Sequence, residues 1–123
     1  MKPEELSVLL IEDDNIEMGS IMRVLESNGI KNIDTASNDF QAIRQIRERV
    51  YHLIVSDTMD QNNYPYGPDV VSRAKYLGKN PVVVGLSNYS GSAELWKGLA
   101  DYFFEKHRFY AGVKQVLKEK FEI

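Results

Sequence analysis

Side chains able to do polar chemistry follow the apolar segments of this chain. Three carboxylates, one hydroxyl and one ammonium stand at such positions, and they belong to Glu12, Asp13, Asp57, Ser87 and Lys106. Clustered oxygen ligands suit Mg²⁺, which accepts one or two carboxylates and commonly binds together with phosphate. A carboxylate can also act as the nucleophile and form an aspartyl phosphate, whose oxygens a lysine and a hydroxyl would stabilise. The residue types therefore indicate Mg²⁺-assisted transfer of a phosphoryl group onto an aspartate.

Five apolar segments would have to position these side chains, and they alternate with segments of helical periodicity. The predicted strands are Ser7–Ile11, Ile33–Ala36, Leu53–Ser56, Val82–Leu86 and Tyr102–Phe104. Apolar residues spaced three and four apart predict the helix faces, which comprise Met18–Leu25, Ile43–Val50, Val70–Leu77, Ser92–Leu99 and Tyr110–Phe121. Each strand is thus followed by a helix. Side chains that leave the carboxyl ends of parallel strands collect at one edge of the sheet.

Strands that are apolar on both faces favour a parallel sheet covered by helices on each side. The sequence therefore predicts an α/β fold, a doubly wound flavodoxin-like sheet of order 2-1-3-4-5 with five helices. With 123 residues, we expect one domain spanning residues 1–123. No Gly-x-Gly-x-x-Gly motif follows the first strand and no P-loop is present, which disfavours a dinucleotide-binding fold or a P-loop NTPase.

Composition and charge narrow the function classes further. The chain has no cysteine, which excludes disulfides, thiolate metal sites and a cysteine nucleophile. With 15 basic and 18 acidic residues, the formal charge of −3 disfavours non-specific binding of nucleic acid. No apolar run approaches the ~20 residues that a membrane helix needs, and the first residues lack a signal-peptide pattern. We therefore expect a cytoplasmic protein that binds neither nucleic acid nor membrane directly.

Four stretches of sequence carry a family resemblance, and together they cover essentially the whole chain. They are Leu9–Asp14, Leu53–Asp57, Val84–Ser87 and Ala100–Lys106. In this order they resemble the receiver (CheY-like) domain of bacterial two-component response regulators. Each stretch alone is a weak signal, whereas all four in order, each at a strand end, are specific. The resemblance implies a signalling phosphoacceptor, a phosphoprotein that is not an enzyme beyond self-catalysed phosphotransfer and slow autodephosphorylation.

The resemblance also implies a role for each residue that matches the motif. Asp57 would accept a phosphoryl group from a sensor histidine kinase or a histidine phosphotransfer protein, and would bind the metal. Asp13 would bind Mg²⁺ directly, Glu12 mainly through water, and Met59 through its backbone carbonyl. Lys106 would pair with the phosphoryl group.

The resemblance further implies a conformational output. Ser87 matches the switch hydroxyl, and Phe103 the aromatic residue that moves inward when Ser87 engages the phosphate. The switch surface would comprise the fourth helix, the fifth strand and the fifth helix, with Asn88, Tyr89, Trp96, Tyr102 and Tyr110 as possible anchors. We expect a downstream protein to bind there, or a second copy to form a homodimer. No effector segment is visible, which favours a stand-alone receiver, although the sequence fits equally a piece of a longer regulator or hybrid kinase.

The chain departs from the family pattern near the acceptor. The glycine that usually lies eight residues beyond the acceptor is here Gly67, ten residues on, so the intervening loop is about two residues longer. The lysine is followed by His107 instead of proline, so the Lys106–His107 bond is either trans or a strained cis bond. Both departures put the metal geometry and the position of Lys106 in question.

Three residues near the site would tune the lifetime of the phosphoryl group. They are Met59 and Tyr89, which stand two residues beyond Asp57 and Ser87, and Asn88, which stands where the family usually has a small residue. The side chains of Met59 and Tyr89 are poor groups for orienting an attacking water. We therefore predict a long-lived phosphoryl group.

Two other functions remain as alternatives. The altered loop and His107 favour a pseudo-receiver that binds partners without phosphorylation, whereas the retained acidic pair, Asp57, Ser87 and Lys106 oppose it. The second is a phosphatase of the haloacid dehalogenase type with Asp60 as the acid, but that family places the nucleophile after its first strand.

Asp14 is one acid more than the pair requires, and it is expected to cap the first helix in a capping box with Glu17.

Overall fold

The computed structural model describes residues 1–123 and contains one five-stranded parallel sheet of order β2-β1-β3-β4-β5. The strands are β1 (Ser7–Ile11), β2 (Asn32–Ala36), β3 (Leu53–Asp57), β4 (Val82–Ser87) and β5 (Tyr102–Glu105). The α-helices are α1 (Asn15–Ser27), α2 (Asp39–Glu48), α3 (Tyr66–Tyr76) and α4 (Phe109–Phe121). Short 3₁₀ helices cover Pro3–Glu5, Ser90–Trp96 and Lys106–Arg108. This is the predicted doubly wound, flavodoxin-like arrangement.

The two faces of the sheet are covered by different helices because side chains alternate along each strand. Leu10 of β1 and Val55 of β3 belong to a buried cluster with residues of α1 and α4. Leu9 and Ile54, their immediate neighbours, belong to a second cluster with residues of α2, α3 and Trp96. The two central strands are therefore apolar on both sides, and the carboxyl edge of the sheet is fixed between two packed layers.

The fourth connection is helical, as predicted, but it is a seven-residue 3₁₀ helix over Ser90–Trp96 in place of the expected Ser92–Leu99. Its turns are tight: the N–H of Ser92 donates to the carbonyl of Tyr89. Gly98, with a φ of 77°, lies just beyond it in the left-handed region. Serine and glycine disfavour a regular α-helix, and the short 3₁₀ form results. Four α-helices and this segment occupy the five helical positions.

Three residues predicted to lie on buried helix faces are exposed, namely Val50, Leu77 and Tyr110. α2 ends at Glu48, so Val50 lies beyond the helix, and Leu77 is the C-terminal capping residue of α3. In α4 the buried position is taken by Phe109. The apolar periodicity of the sequence therefore continues past the ends of α2 and α3. No helix is long and apolar enough to cross a membrane.

Candidate functional site

The polar residues predicted to act together lie at the carboxyl edge of the sheet. Asp57 is the last residue of β3 and is paired in register with Leu86 of β4, so Ser87 follows on the adjacent strand. Glu12 and Lys106 come directly after β1 and β5. A cavity of about 480 Å³ opens here, and its walls include Asp13, Asp57, Met59, Ser87, Asn88, Tyr89 and Lys106. The topology brings every predicted polar site residue to this rim, with Glu12 buried at its base.

Lys106 forms the electrostatic centre of the site. Its Nζ lies 2.9 Å from Glu12 Oε1, 2.9 Å from Glu17 Oε2 and 3.1 Å from Asp57 Oδ1. The lysine side chain is only 11% exposed, so these pairs are weakly screened by water. No peptide bond is cis, so the Lys106–His107 bond is trans and the ammonium nevertheless reaches Asp57.

Burial dominates the acid–base properties of the two inner carboxyls. Glu12 is 0% and Asp57 6% exposed. Burial, added to repulsion from Asp57, raises the pKa of Glu12 to about 8 against the pull of Lys106. Burial likewise raises the pKa of Asp57, and Lys106 opposes the rise. Burial works to lower the pKa of Lys106, but its bonds to Glu17 and Glu12 and the charge of Asp57 raise it overall. One ammonium thus faces more negative charge than it can balance.

The arrangement of the carboxylates suits a divalent cation. One oxygen each from Glu12, Asp13 and Asp57 lies within 4.8 Å of the others. Glu12 Oε1 is buried, and its polar contact is the ion pair with Lys106. Buried carboxylates that repel one another are stabilised by a nearby cation, and oxygen-only donors suit Mg²⁺. The donor set therefore matches the predicted magnesium site, and Met59 lines the same cavity.

Sequence reasoning missed the role of Glu17. Asp14 caps α1 as expected, accepting hydrogen bonds at 2.9 Å from the N–H groups of Ile16 and Glu17. The carboxylate of Glu17 does not complete a capping box, however. It accepts from Lys106 Nζ at 2.9 Å and from Asn88 Nδ2 at 3.2 Å. Glu17 is in the first turn of α1, which begins at the carboxyl edge of the sheet, and this position is the sequence signal that it lies near the site.

Tyr66 is the second residue that sequence reasoning left without a role in the site. It is 1% exposed, and its hydroxyl donates a hydrogen bond to Asp57 Oδ2 at 3.0 Å. Burial, together with the charges of Asp57, Glu12 and Asp13, raises the pKa of Tyr66, so the hydroxyl stays protonated. No sequence pattern shows that this tyrosine points inward, because its position depends on the packing of α3 against the end of β3.

The predicted switch residues are held in place by local contacts. Ser87 Oγ donates to Ser92 Oγ at 2.9 Å and accepts from the N–H of Tyr89 at 3.0 Å. Phe103 is half-buried and packs against the cluster that contains Trp96. Tyr89 is 76% exposed at the mouth of the cavity. Ser87 therefore lies on the cavity wall with its hydrogen bonds directed toward its own loop.

Trp96 connects the 3₁₀ helix to the residue after Asp57. Its Nε1 donates to Thr58 Oγ1 at 2.8 Å, and Thr58 Oγ1 donates to the carbonyl of Leu86 at 2.7 Å. A Cβ at Gly85 would lie 2.6 Å from the indole ring, so the ring lies directly on β4. The tryptophan is thus buried core, and it joins β3, β4 and the fourth connection.

The longer loop after Asp57 is organised by backbone N–H groups that donate to the carboxylates of Asp60 and Asp13. Asp60 Oδ1 accepts from the N–H groups of Asn62 and Tyr64 at 2.8 and 3.0 Å. The N–H of Gln61 donates to Asp13 Oδ2 at 3.2 Å, which fastens the loop to the acidic pair. Asp60 is used as a turn residue and not as an acid beside Asp57, so the geometry gives the phosphatase alternative no support.

No protein-family model matches the chain, and no curated protein matches it. Solved structures do resemble it. The receiver domain of a CheY-like response regulator from Methylobacillus flagellatus superposes with a TM-score of 0.79 at 20% identity, covering 92% of this chain and 96% of that one. The response regulator TrrA from Thermotoga maritima, in complex with Mg²⁺-BeF, gives 0.78 at 23%, covering 93% and 97%. A Francisella receiver domain gives 0.75 at 23%, covering 92% and 97%. The chain therefore has the fold of response regulator receiver domains.

Proposed function

We propose that this protein is a phosphoacceptor receiver domain of two-component signalling, with Asp57 as the acceptor. One observation carries the proposal: Asp57 is buried at the edge of a receiver-type sheet, 3.1 Å from Lys106 and within 4.8 Å of the oxygens of Glu12 and Asp13. The donor would be the phosphohistidine of a sensor kinase or of a histidine phosphotransfer protein. The P–N bond of the donor breaks, a P–O bond to Asp57 forms, and the imidazole is the leaving group.

Glu12, Asp13, Asp57 and the carbonyl of Met59 would hold Mg²⁺. When bound, the ion supplies positive charge that offsets the negative charge of the transferring phosphoryl group. The chain's own groups do the remaining work. Asp57 supplies the nucleophilic oxygen, Lys106 pairs with a phosphoryl oxygen, and the buried surroundings strengthen both contacts.

Ser87 and Phe103 would couple the phosphoryl group to the outer surface. Ser87 Oγ lies on the cavity wall and would exchange its bond with Ser92 for one to a phosphoryl oxygen. Phe103 is the register partner of Gly85, the residue that Trp96 covers. Inward movement of Phe103 would therefore have to shift Trp96. A shift of population between two packed arrangements is the mechanism proposed.

The proposed readout is binding of a downstream protein at the surface formed by Ser90–Trp96, β5 and α4, where Tyr89 and Tyr110 are exposed. A homodimer through the same surface is part of the proposal. We place the protein in the cytoplasm, where kinase donors of this type act. Its only chemistry would be its own phosphorylation and slow dephosphorylation.

The phosphoryl group is proposed to be long-lived. Met59 and Tyr89 both line the cavity, and neither side chain carries a base that would orient an attacking water. Replacing both with acids or amides should speed phosphate loss, with Asn88 as a further position that borders the cavity. Unchanged loss rates in such a double variant would overturn this part of the proposal.

The test of the main proposal uses intact mass. Wild-type protein and Asp57→Asn are incubated with Mg²⁺ and acetyl phosphate. We expect one phosphoryl addition in the wild type, and none in the variant or in wild type without Mg²⁺. Because some receivers accept phosphate only from their kinase, Mg²⁺ binding is titrated in parallel. No addition together with no Mg²⁺ binding contradicts the proposal.

A pseudo-receiver remains the second candidate, and two observations favour it. The Tyr66 hydroxyl already donates a hydrogen bond to Asp57 Oδ2, and the N–H of Gln61, in the loop after Asp57, donates one to Asp13. In that case, folded protein would show neither phosphorylation nor Mg²⁺ binding. Partner binding would then be the same for the wild type and Asp57→Asn.

A further inference from the structure

The carboxylate of Asp57 has a different partner at each oxygen. Lys106 Nζ lies 3.1 Å from Oδ1, and the Tyr66 hydroxyl donates to Oδ2 at 3.0 Å. The lysine contact borders the cavity, where an incoming phosphoryl group would lie. Tyr66, in contrast, is buried beneath the site at 1% exposure and does not line the cavity. The two oxygens are therefore chemically distinct before any donor arrives.

The backbone holds the tyrosine in this position. Its N–H donates to the carbonyl of Tyr64 at 2.8 Å, and the N–H of Gly67 donates to the carbonyl of Thr58 at 3.3 Å. A Cβ at Gly67 would lie 1.9 Å from the carbonyl oxygen of Asp57, so α3 begins in direct contact with the end of β3. The ring of Tyr66 packs in the buried cluster formed with residues of α2 and α3, and its hydroxyl lies against Oδ2.

A donated hydrogen bond has unequal strength in the two states of Asp57. In the unphosphorylated state it is accepted by a carboxylate, and in the phosphorylated state by the carbonyl oxygen of a neutral acyl group. Hydrogen bonds to an ionised acceptor are roughly twice as strong as those between neutral groups. A buried hydroxyl on Oδ2 therefore stabilises the carboxylate more than the acyl phosphate.

We propose that Tyr66 takes part in the phosphoryl-transfer reaction. Its hydroxyl stays hydrogen-bonded to Oδ2, directs the phosphoryl group to Oδ1 and favours the loss of that phosphoryl group. The inference rests on the proposed function and goes beyond it, because it sets the balance between the two states of Asp57. Tyr66 acts through the carboxylate and does not contact the donor.

Phosphorylation and hydrolysis of Asp57 need no reactant beyond acetyl phosphate and water. On phosphorylation by acetyl phosphate, a lone pair of Oδ1 forms the new P–O bond, and the P–O bond to acetate breaks with its electron pair on acetate. On hydrolysis, water attacks phosphorus and the Oδ1–P bond breaks with its electron pair on the carboxylate. The proton of the water leaves to solvent, and inorganic phosphate is released. Tyr66 keeps its proton throughout.

The test measures both rate constants in Tyr66→Phe, with acetyl phosphate and Mg²⁺, by intact mass over time. We expect phosphorylation to be about threefold faster and phosphate loss about threefold slower than in the wild type. The ratio of the two rate constants therefore changes about tenfold. A merely damaged site would phosphorylate more slowly, so the direction separates the two explanations. The apparent affinity for acetyl phosphate should not change.

Tyr51→Phe is the matched control. Tyr51 is also buried and its hydroxyl also donates to a carboxylate, Asp34 Oδ2, at 2.6 Å, but it lies just before β3 at the opposite edge of the sheet. Its loss should cost similar stability and leave both rate constants unchanged. Equal effects in the two variants would overturn the inference.

A second variant covers the case in which Tyr66→Phe fails to fold. Site-specific replacement of Tyr66 by a fluorinated tyrosine keeps the ring and makes the hydroxyl a stronger donor. The expected shift is then reversed, with slower phosphorylation and faster loss. Wild type that takes up phosphate, beside variants whose rates do not change or change in the opposite direction, overturns the Tyr66 inference alone. Folded wild type that takes up no phosphate and binds no Mg²⁺ overturns the proposed function, and the inference with it.

Discussion

At the scale of single residues, the site holds more negative than positive charge in a buried position. Glu12 and Asp57 are buried, and Asp13 and Glu17 add further negative charge around the single ammonium of Lys106. Such an arrangement is costly unless positive charge is added. The chemistry proposed for Asp57 supplies it, because Mg²⁺ would bind where the imbalance is greatest.

The imbalance predicts how stability depends on pH. Burial and Asp57 raise the pKa of Glu12 from 4.5 to about 8, so between these values the folded state binds more protons than the unfolded state. The stability contributed by protonated Glu12 is present below about pH 4.5 and is lost as the pH rises through about 8. The free energy of unfolding of the metal-free protein should fall by at most ~1.4 kcal/mol per pH unit from this proton.

Denaturant unfolding at several pH values checks this prediction. Glu12→Gln cannot titrate and should give a flatter curve, whereas Glu48→Gln, on the exposed face of α2, should follow the wild type. Mg²⁺ should reduce the loss of stability above neutral pH in the wild type, because it stabilises the ionised carboxyls. A slope that is the same in all three proteins would contradict the assignment.

At the scale of elements, the junction between β3 and α3 determines where Asp57 and Tyr66 meet. Gly67 allows it, because a side chain there would lie 1.9 Å from the Asp57 carbonyl oxygen and 2.7 Å from Ser56 Oγ. The sequence marks this glycine only as the family's glycine displaced by two residues. The structure shows what it does: it lets α3 start in contact with the end of β3 in spite of the longer loop.

Replacing Gly67 with alanine should therefore be strongly destabilising. Neither backbone nor Ser56 can yield easily, and we expect a loss of about 3 kcal/mol in the free energy of unfolding, or ~10 °C in Tm. Gly91→Ala is the control, because a Cβ there meets nothing within 4 Å. It should change stability by less than ~0.5 kcal/mol. Thermal unfolding of both variants measures the difference, and equal Tm values would show that the junction tolerates a side chain.

At the scale of the whole molecule, Trp96 links the 3₁₀ helix over Ser90–Trp96 to the end of β3. It hydrogen-bonds Thr58, the residue after Asp57, and it lies on Gly85, whose register partner is Phe103. A change at Asp57 that moves Thr58 or Phe103 must therefore change the surroundings of the indole. The chain contains one tryptophan, so its fluorescence reports this position alone.

We expect tryptophan emission to change in intensity or wavelength when the protein is phosphorylated by acetyl phosphate with Mg²⁺. Asp57→Asn, treated in the same way, should show no change beyond that caused by Mg²⁺ alone. A phosphoryl group present by mass without any change in emission would show that Trp96 does not take part in the switch. Other residues would then have to transmit the conformational change from Asp57 to the surface.

The sequence by itself determined the architecture and the principal site. Apolar strands with helices between them indicate a doubly wound parallel sheet, and polar residues at strand ends must then meet at its carboxyl edge. Glu12, Asp13, Asp57, Ser87 and Lys106 were predicted in this way, and the structure places them around one cavity or at its base. These predictions depend on which residue ends each strand and on the alternation of strands and helices along the chain, which are properties of local pattern.

Only the tertiary structure decided which further side chains reach Asp57, Thr58 and Lys106. Sequence pattern alone places Tyr66 at the end of the loop after Asp57, Glu17 in a capping box and Trp96 among the possible surface anchors. Their actual contacts join residues 9, 89 and 38 positions apart along the chain. Whether such groups meet depends on how a helix start packs against a strand end. A packed interior places side chains through many contacts at once, and no local pattern contains them.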